Sequence, residues 1–360
     1  MQKLNHRNAQ VPLAKHLIAL AERGILPDCL VRFGVRRLCR CRLKNESIDD
    51  PESQQNRFQD LIEQLRQSPI AIQTNAANEQ HYQVPTEFYL ATLGKHLKYS
   101  SAYYATPTHS LDEAEEAMLS LYSERAQLDN GQQILELGCG WGSLTLWMAK
   151  QYPQSHITAV SNSSTQKQYI QAQCTKWGLN NVTVITADMN ELTLANNQFD
   201  RAISIEMFEH MRNYQVLLNH VSNWLTAKGT LFVHIFAHRT LMYPFESHSA
   251  QDWMSKYFFT GGLMPSVDTL LYFQKHLHIK SRWLVNGTHY QRTCNHWLEK
   301  MDANKPSVMH AFRHSYGADQ AKLWFHRWRI FYMACAELFG FNEGKEWLVA
   351  HYLFENSPEP

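Results

Sequence analysis

Two clusters of residues in this chain have the types and spacing for chemistry. The first is Glu206-Met-Phe-Glu209-His210, at the end of an apolar run from Arg201 to Met207. A carboxylate beside an imidazole can orient an acceptor and take its proton. His titrates near neutral pH, and a neighbouring Glu raises its basicity. If residues 204–208 stay extended, Glu206 and Phe208 share a face and Glu209 looks the other way. A turn is expected here instead. On that expectation Glu209 binds an ammonium hydrogen and His210 accepts the proton. Glu206 either joins them or only ties the loop together, and the Glu209–His210 pair could also be purely structural.

The second cluster is Glu136-Leu-Gly138-Cys-Gly140-Trp-Gly142. A strand that runs into Gly-x-Gly-x-Gly and then a helix can hold a nucleotide. Glycines tighten the turn and admit a ligand to the backbone, and the helix N-terminus offers donors. A dinucleotide site usually reads GxGxxG, with the last spacing serving a pyrophosphate. Here the third glycine comes one residue earlier. The shorter loop, with Glu136 ahead of it, suits S-adenosylmethionine (SAM), which has no phosphate and carries an amino-acid end. Its demethylated product would be S-adenosylhomocysteine (SAH). A plain strand–helix turn would use the same glycines without a ligand.

An acidic residue about 20 positions on would bind ribose hydroxyls. The chain has Ser161-Asn162 there. Asn162 can still bind a hydroxyl as donor or acceptor, and Gln166 is close by. Asp188 could accept from the adenine amino group or cap the next turn. Tyr82, Tyr104, Phe236, Phe258, Trp328 and Tyr332 could enclose a flat or cationic acceptor, although each fits a core equally well.

These residues need a scaffold, and the chain alternates strands and helices from about 115 onward, the mark of an α/β fold. Strands are expected at 134–138, 157–161, 182–187, 201–207 and 230–236, with two more near 279–285 and 347–354. Helices are expected up to 151, at 165–177 and at 214–225. Residues 289–340 are rich in helix formers and aromatics. Upstream, Val11, Leu13, Leu17, Ile18 and Leu20 recur at helical spacing, and Gly24 and Pro27 mark a turn. A second helix over 28–42 carries Arg32, Arg36, Arg37, Arg40 and Arg42. It reads as a solvated basic face or as a contact with an anionic membrane surface. Residues 45–56 read as a loop, and 55–66 as amphipathic.

Composition narrows the classes. The 360 residues fit one large domain or two smaller ones. A formal net charge of +1 gives no reason to expect nucleic acid. No apolar run approaches the ~18 residues that span a bilayer. Met1 to Gln10 is polar, without a signal-peptide core. The 7 cysteines are scattered, with no CxxC pair and no metal-ligand spacing. A reduced, cytoplasmic chain is expected, with no metal.

At Glu206-Met-Phe-Glu209-His210-Met the chain resembles the cyclopropane-fatty-acyl-phospholipid synthase superfamily of SAM enzymes. His81-Tyr82 with Phe88-Tyr89, Tyr99-Ser100-Ser101-Ala-Tyr103-Tyr104, and His289-Tyr290-x-x-Thr293 near Trp297 resemble its motifs too. The likeness extends to one branch, the plant coclaurine N-methyltransferases. It is carried by residues 209–214, 257–266 and 285–290, and by 336–342 through His351. It covers roughly residues 75–356.

The resemblance implies a Rossmann-like class I SAM methyltransferase sheet. A helical N-terminal extension would span 1–75 and the methyltransferase domain 76–360, with a helical insertion at about 240–340 covering the active site. By this likeness Tyr99 and Ser100 hold the amino-acid end of SAM, and Gly138, Gly140 and Gly142 pass along it. Asn162 and Gln166 take the ribose, and Asp188 the adenine. Glu206, Glu209 and His210 match the N-methyltransferase catalytic cluster, and Tyr290 belongs to the substrate pocket. In cyclopropane synthases a bicarbonate base is held partly by a Cys, a Glu, a His and a Tyr. The matching positions are Ser101, Glu209, His234 and Tyr332, and Ser in place of Cys disfavours cyclopropanation. A small amine is the expected acceptor. The alternatives are a thiol, an unsaturated phospholipid acyl chain, or a SAM-binding module without catalysis. The N-terminal helices would cap the pocket, touch a membrane peripherally or form a homodimer.

Overall fold

The computed structural model describes residues 15–72, 84–246 and 252–356. Its centre is a seven-stranded sheet: β1 (Gln133–Leu137), β2 (His156–Ser161), β3 (Val182–Thr186), β4 (Phe199–Ile205), β5 (Leu225–His238), β8 (Leu277–Val285) and β9 (Trp347–Asn356). The order is β3-β2-β1-β4-β5-β9-β8. The first five strands are parallel, and β9 is antiparallel to both β5 and β8. The short pair β6 (Tyr243–Pro244) and β7 (Leu263–Met264) stands apart.

Parallel strands covered on both faces must be apolar throughout, and Ile134, Leu135 and Leu137 of β1 are fully buried. The strand order reverses between β1 and β4. Chain leaving their carboxyl ends diverges there and opens a crevice, the usual ligand site of open α/β sheets. The glycine loop follows β1 and the Glu206 segment follows β4. Neighbouring strands therefore deliver the two clusters to one place.

On the two faces lie α4 (Leu111–Arg125), α5 (Ser143–Gln151), α6 (Ser164–Trp177) and α7 (Tyr214–Trp224). The lid side is built from α3 (Thr86–Thr92), α8 (Trp253–Tyr257), α9 (Thr288–Ala303), α10 (Lys305–Tyr316) and α11 (Ala318–Phe339). Before these come a helical stretch over 15–22, α1 (Asp28–Glu46) and α2 (Pro51–Gln67).

Four sequence expectations change. The loop over 45–56 shrinks to 47–50, because Asp50 caps α2 by accepting from the Ser53 N–H and Pro51 suits the first helical turn. The basic helix is not simply solvated. Arg32 and Arg36 both reach Glu337 of α11, at 2.9 and 2.6 Å, while Arg42 and Arg57 converge on Glu46. This half of the charge docks α1 onto the lid. The stretch from about 240 to 340 is not only helical, since β8 lies within it at the sheet edge. Helix α4, legible as the capping box Ser110-x-x-Glu113, was not anticipated. No described helix is long and apolar enough to cross a membrane.

The turn from β8 into α9 is packed backbone to backbone. A Cβ on Gly287 would lie 2.1 Å from the Trp347 carbonyl oxygen and 2.3 Å from that of Phe339. Gly287→Ala is therefore expected to destabilise the fold by about 1–3 kcal/mol. Gly34→Ala, inside α1 with nothing near its Cβ, is expected to stabilise it by about 1 kcal/mol. Urea unfolding midpoints of the two variants check both signs.

Candidate active site

The glycine loop turns on three left-handed residues, Gly138, Gly140 and Gly142, with φ of 82°, 51° and 77°. They serve different ends. A Cβ on Gly138 would sit 2.8 Å from Met207, so this glycine lets the β1 and β4 loops touch. A Cβ on Gly140 would meet nothing and would project into open space. A Cβ on Gly142 would sit 2.6 Å from Ile170 of α6. Gly142 is the N-cap of α5 and is outside the cavity lining, and its packing on Ile170 by itself requires a glycine there.

A cavity of ≈ 210 Å³ opens at the crevice, and a smaller one of ≈ 60 Å³ adjoins it. Both are lined by Gly138, Gly140, Gln166, Met207 and His210, which makes them one bent cleft. The small arm carries Asn162 and Asp188. Asp188 also caps the next turn, accepting from the Asn190 backbone N–H at 2.8 Å, so both of its expected roles are open to it. The Gln166 carbonyl oxygen is held by the Ser161 hydroxyl at 2.7 Å. In the large arm, Tyr99, Ser100, Glu136 and Ser143 surround the loop. Burial pushes the Glu136 carboxyl up to about 8, against a hydrogen bond from Thr145 at 2.5 Å. The Ser143 hydroxyl, at the start of α5, is buried without a partner.

The opposite wall is built from aromatics. Phe236 and Phe258 line it, and the Tyr290 ring stacks on Phe339 at 4.2 Å. Trp328 and Tyr332 are fully buried and stand behind this wall, Trp328 against Phe258 at 5.1 Å. They support it and do not line it. Tyr104 is also outside the lining, with its hydroxyl on His296 at 3.0 Å. Tyr82 lies outside the described residues.

Between the arms sits the carboxylate cluster. The expected turn begins at Glu206 itself, whose φ of 48° is left-handed, an uncommon conformation for a residue with a side chain. A 3-10 turn over Phe208–His210 follows. This places Glu206 and His210 on the cavity wall and Glu209 behind it. Glu209 is fully buried, and one of its oxygens accepts the Phe236 N–H at 2.7 Å. The expectation that Glu209 touches the acceptor is therefore corrected. The turn exchanges the faces, and Glu206 lines the cavity in its place.

Glu206 Oε1 accepts from the Ser101 N–H at 2.9 Å and from His234 Nε2 at 3.0 Å. Its Oε2 accepts from the Tyr290 hydroxyl at 2.6 Å. Burial pushes its pKa up, while Lys98, Tyr290 and Ser101 pull it back down. Burial and the Glu206 charge push Glu209 well above the usual range. Two close carboxylates cannot both ionise cheaply, and three donors meet Glu206 while Glu209 is met only by backbone N–H groups. The arrangement favours the charge on Glu206 and the proton on Glu209. Ser101 contributes its backbone, since its hydroxyl donates to the Ala102 carbonyl. His234 stands behind Glu206, outside the lining.

Sequence reasoning missed Lys98. It is buried in the cavity wall and donates to the Ser100 hydroxyl at 2.5 Å and the Ser101 carbonyl at 2.7 Å. Desolvation lowers its pKa to about 8 against the pull of Glu206 and Glu115. A lysine between Leu97 and Tyr99 was the one readable sign.

The family described as mycolic acid cyclopropane synthetase matches residues 71–345. The chain belongs to that family. It is 37% identical over 343 residues to (S)-coclaurine N-methyltransferase of Thalictrum flavum subsp. glaucum, covering 94% of this chain and 95% of the relative. It is 36% identical over 349 residues to the enzyme of the same name from Papaver somniferum, covering 96% and 99%. The crystal structure of a coclaurine N-methyltransferase bound to N-methylheliamine and SAH superposes with a TM-score of 0.91 at 37% identity, covering 95% of this chain and 99% of that one. The protein is an S-adenosylmethionine-dependent methyltransferase of the coclaurine N-methyltransferase-like branch, with the class I fold.

The buried Glu209 proton has a thermodynamic consequence. Its pKa is raised in the folded state, so folding takes up a proton above the ordinary carboxyl pKa of ~4.3. Its contribution is fully favourable below that value and is lost as pH rises toward the folded pKa. Glu209→Gln is expected to gain stability relative to the parent at pH 8 and not at pH 5. Urea midpoints at the two pH values measure it.

Proposed function

We propose that this methyltransferase acts on the nitrogen of a small, flat amine, bound in the aromatic arm with its nitrogen facing Glu206 and His210. The observation that carries this reading is the Glu206 carboxylate, held by the Ser101 N–H and the Tyr290 hydroxyl, facing a wall that includes Phe236, Phe258 and Tyr290. Such a pocket suits a cation on an aromatic body. The solved relative with N-methylheliamine and SAH, together with the two coclaurine enzymes, supports an amine over a thiol or a lipid alkene.

The cleft fits SAM on its own features. An unpartnered Ser143 hydroxyl at a helix N-terminus suits a carboxylate. The neutral, buried Glu136 suits an ammonium that would ionise it. The open Gly140 backbone and the Asn162–Asp188 arm suit the nucleoside. Tyr99, Ser100 and Gln166 complete that set. SAM supplies a methyl group on a positively charged sulfur.

The chain's own residues then have three tasks. The aromatic wall holds the acceptor and excludes water, which strengthens every charge interaction inside. Glu206 binds the acceptor N–H and aligns its lone pair. His210 takes one of the two protons of the arriving secondary ammonium, freeing the lone pair for the methyl carbon, while the other N–H stays on Glu206. Glu209 acts at one remove, fixing Phe236 through its backbone N–H.

Labelled SAM offered with heliamine (the demethylated counterpart of N-methylheliamine), small thiols and unsaturated phospholipid vesicles tests the reading. N-methylation of the amine alone is expected. Methylation confined to the thiol or lipid refutes it. His210→Ala is expected to lower kcat by about 10²-fold or more, the usual cost of a lost general base, with SAH binding kept.

Glu136 gives a second test. With its pKa at about 8, it is mostly protonated at pH 7 in the free protein and must ionise beside the SAM ammonium. Calorimetric titration in buffers of different ionisation heat should show release of about one proton on SAM binding at pH 7, fading by pH 9. Glu136→Gln should abolish the release and weaken binding.

A further inference from the structure

Behind Glu206 two hydrogen-bonded chains meet on one imidazole. His234 Nε2 faces Glu206 Oε1 at 3.0 Å. His234 Nδ1 faces both the Tyr122 hydroxyl at 2.8 Å and His351 Nε2 at 2.9 Å. His351 Nδ1 in turn faces Arg125 NH1 at 2.7 Å. Both histidines are fully buried, on the paired strands β5 and β9, where they stand opposite each other in register. Burial, with Lys98 and Arg125 nearby, drives both pKa values well below the ordinary one, so both rings are neutral.

A neutral imidazole carries one N–H, and its second nitrogen can only accept. Arginine can only donate. The direction of the chain is therefore fixed from its far end. Arg125 donates to His351 Nδ1, so His351 carries its proton on Nε2 and donates to His234 Nδ1. His234 then carries its proton on Nε2 and donates to Glu206. The second arm agrees. The single lone pair of His234 Nδ1 is shared by the Tyr122 hydroxyl and the His351 Nε2–H, and either donor alone keeps the His234 proton on Nε2. For Glu206 to be protonated and donate to His234, both rings would have to change tautomer. That would turn a His351 N–H against Arg125, donor against donor. Arg125 itself is half-buried, spanning from His351 to the Trp283 ring at 5.0 Å, far from any cavity-lining role.

We propose that Arg125, His351 and His234 form a tautomer lock that holds Glu206 as an ionised acceptor, making Arg125 a remote positioning residue for methyl transfer. The proposal rests on the reading of Glu206 as the acceptor's carboxylate. The lock does not conduct protons, because its outer end cannot accept one. The other groups facing Glu206 are Lys98, Tyr122, Glu209, Tyr290 and Cys294, none of which is altered in the test.

The test measures the pH profile of kcat/KM with labelled SAM and heliamine for the full-length chain, Arg125→Met, Arg125→Lys and Glu206→Gln. Arg125→Met keeps the packing on Trp283 and frees the tautomers. Its acid limb is expected to move up by about one pH unit, so activity at the foot of that limb falls about tenfold while SAH affinity stays within twofold. Arg125→Lys, which keeps a donor, is expected to restore the parental profile. An unshifted profile in Arg125→Met, or no rescue by Lys, overturns the lock. Full activity in Glu206→Gln overturns instead the underlying reading of Glu206. Nitrogen-15 spectra of the parent protein should show both His234 and His351 protonated on Nε2, with their signals assigned by loss in His234→Gln and His351→Gln. An Nδ1–H tautomer at either ring overturns the lock.

Discussion

A carboxylate removed from water loses its hydration and must be met by donors arriving from several directions at once. Glu206 is met by the Ser101 backbone, the Tyr290 hydroxyl and His234, which come from three separate parts of the chain. The rest of the site follows from that convergence. β4 must end in a left-handed turn so that the side chain enters the cavity. The segment around Lys98 must run along the same wall, and Gly287 must let α9 start against β9 so that Tyr290 arrives in reach. The neighbouring Glu209 must then hold its proton, because its charge would lie against that of Glu206.

The same constraint sets the two ends of the cleft apart. The glycine loop after β1 and the small arm with Asn162 and Asp188 form one end of the cleft. The aromatic wall with Glu206 and His210 forms the other, and Gly138 allows the two loops to touch through Met207. The aromatic lid, with Trp328 and Tyr332 behind Phe258, gives the pocket its shape without touching what it holds. Helix α1, clamped to Glu337 by Arg32 and Arg36, braces that lid from outside.

Much of this was readable in the chain. The five parallel strands fell where apolar runs predicted them, because a buried parallel sheet demands continuous apolar residues. The glycine loop and the Glu206–His210 segment stood out because their residue types are expensive elsewhere. What failed did so for local geometric reasons. Period-two reasoning could not say which carboxylate faces the cavity, since a single left-handed residue at Glu206 exchanges the faces. The spacing to Gly142 suggested a ligand contact, and the sequence could not show that packing against Ile170 also demands a glycine there. The docking of Arg32 and Arg36 on Glu337, some 300 residues away in sequence, leaves no local trace. The same holds for His351 behind His234, because a long-range strand pair has no sequence signal of its own.

Glu206 is expected to be ionised in the protein without ligand while Glu209 is protonated. Infrared difference spectra of the parent against Glu206→Gln and against Glu209→Gln at pH 7 measure this directly. The expected result is loss of a carboxylate band in the first comparison and loss of a protonated-acid carbonyl band in the second. A protonated-acid band that disappears with Glu206→Gln would contradict the account.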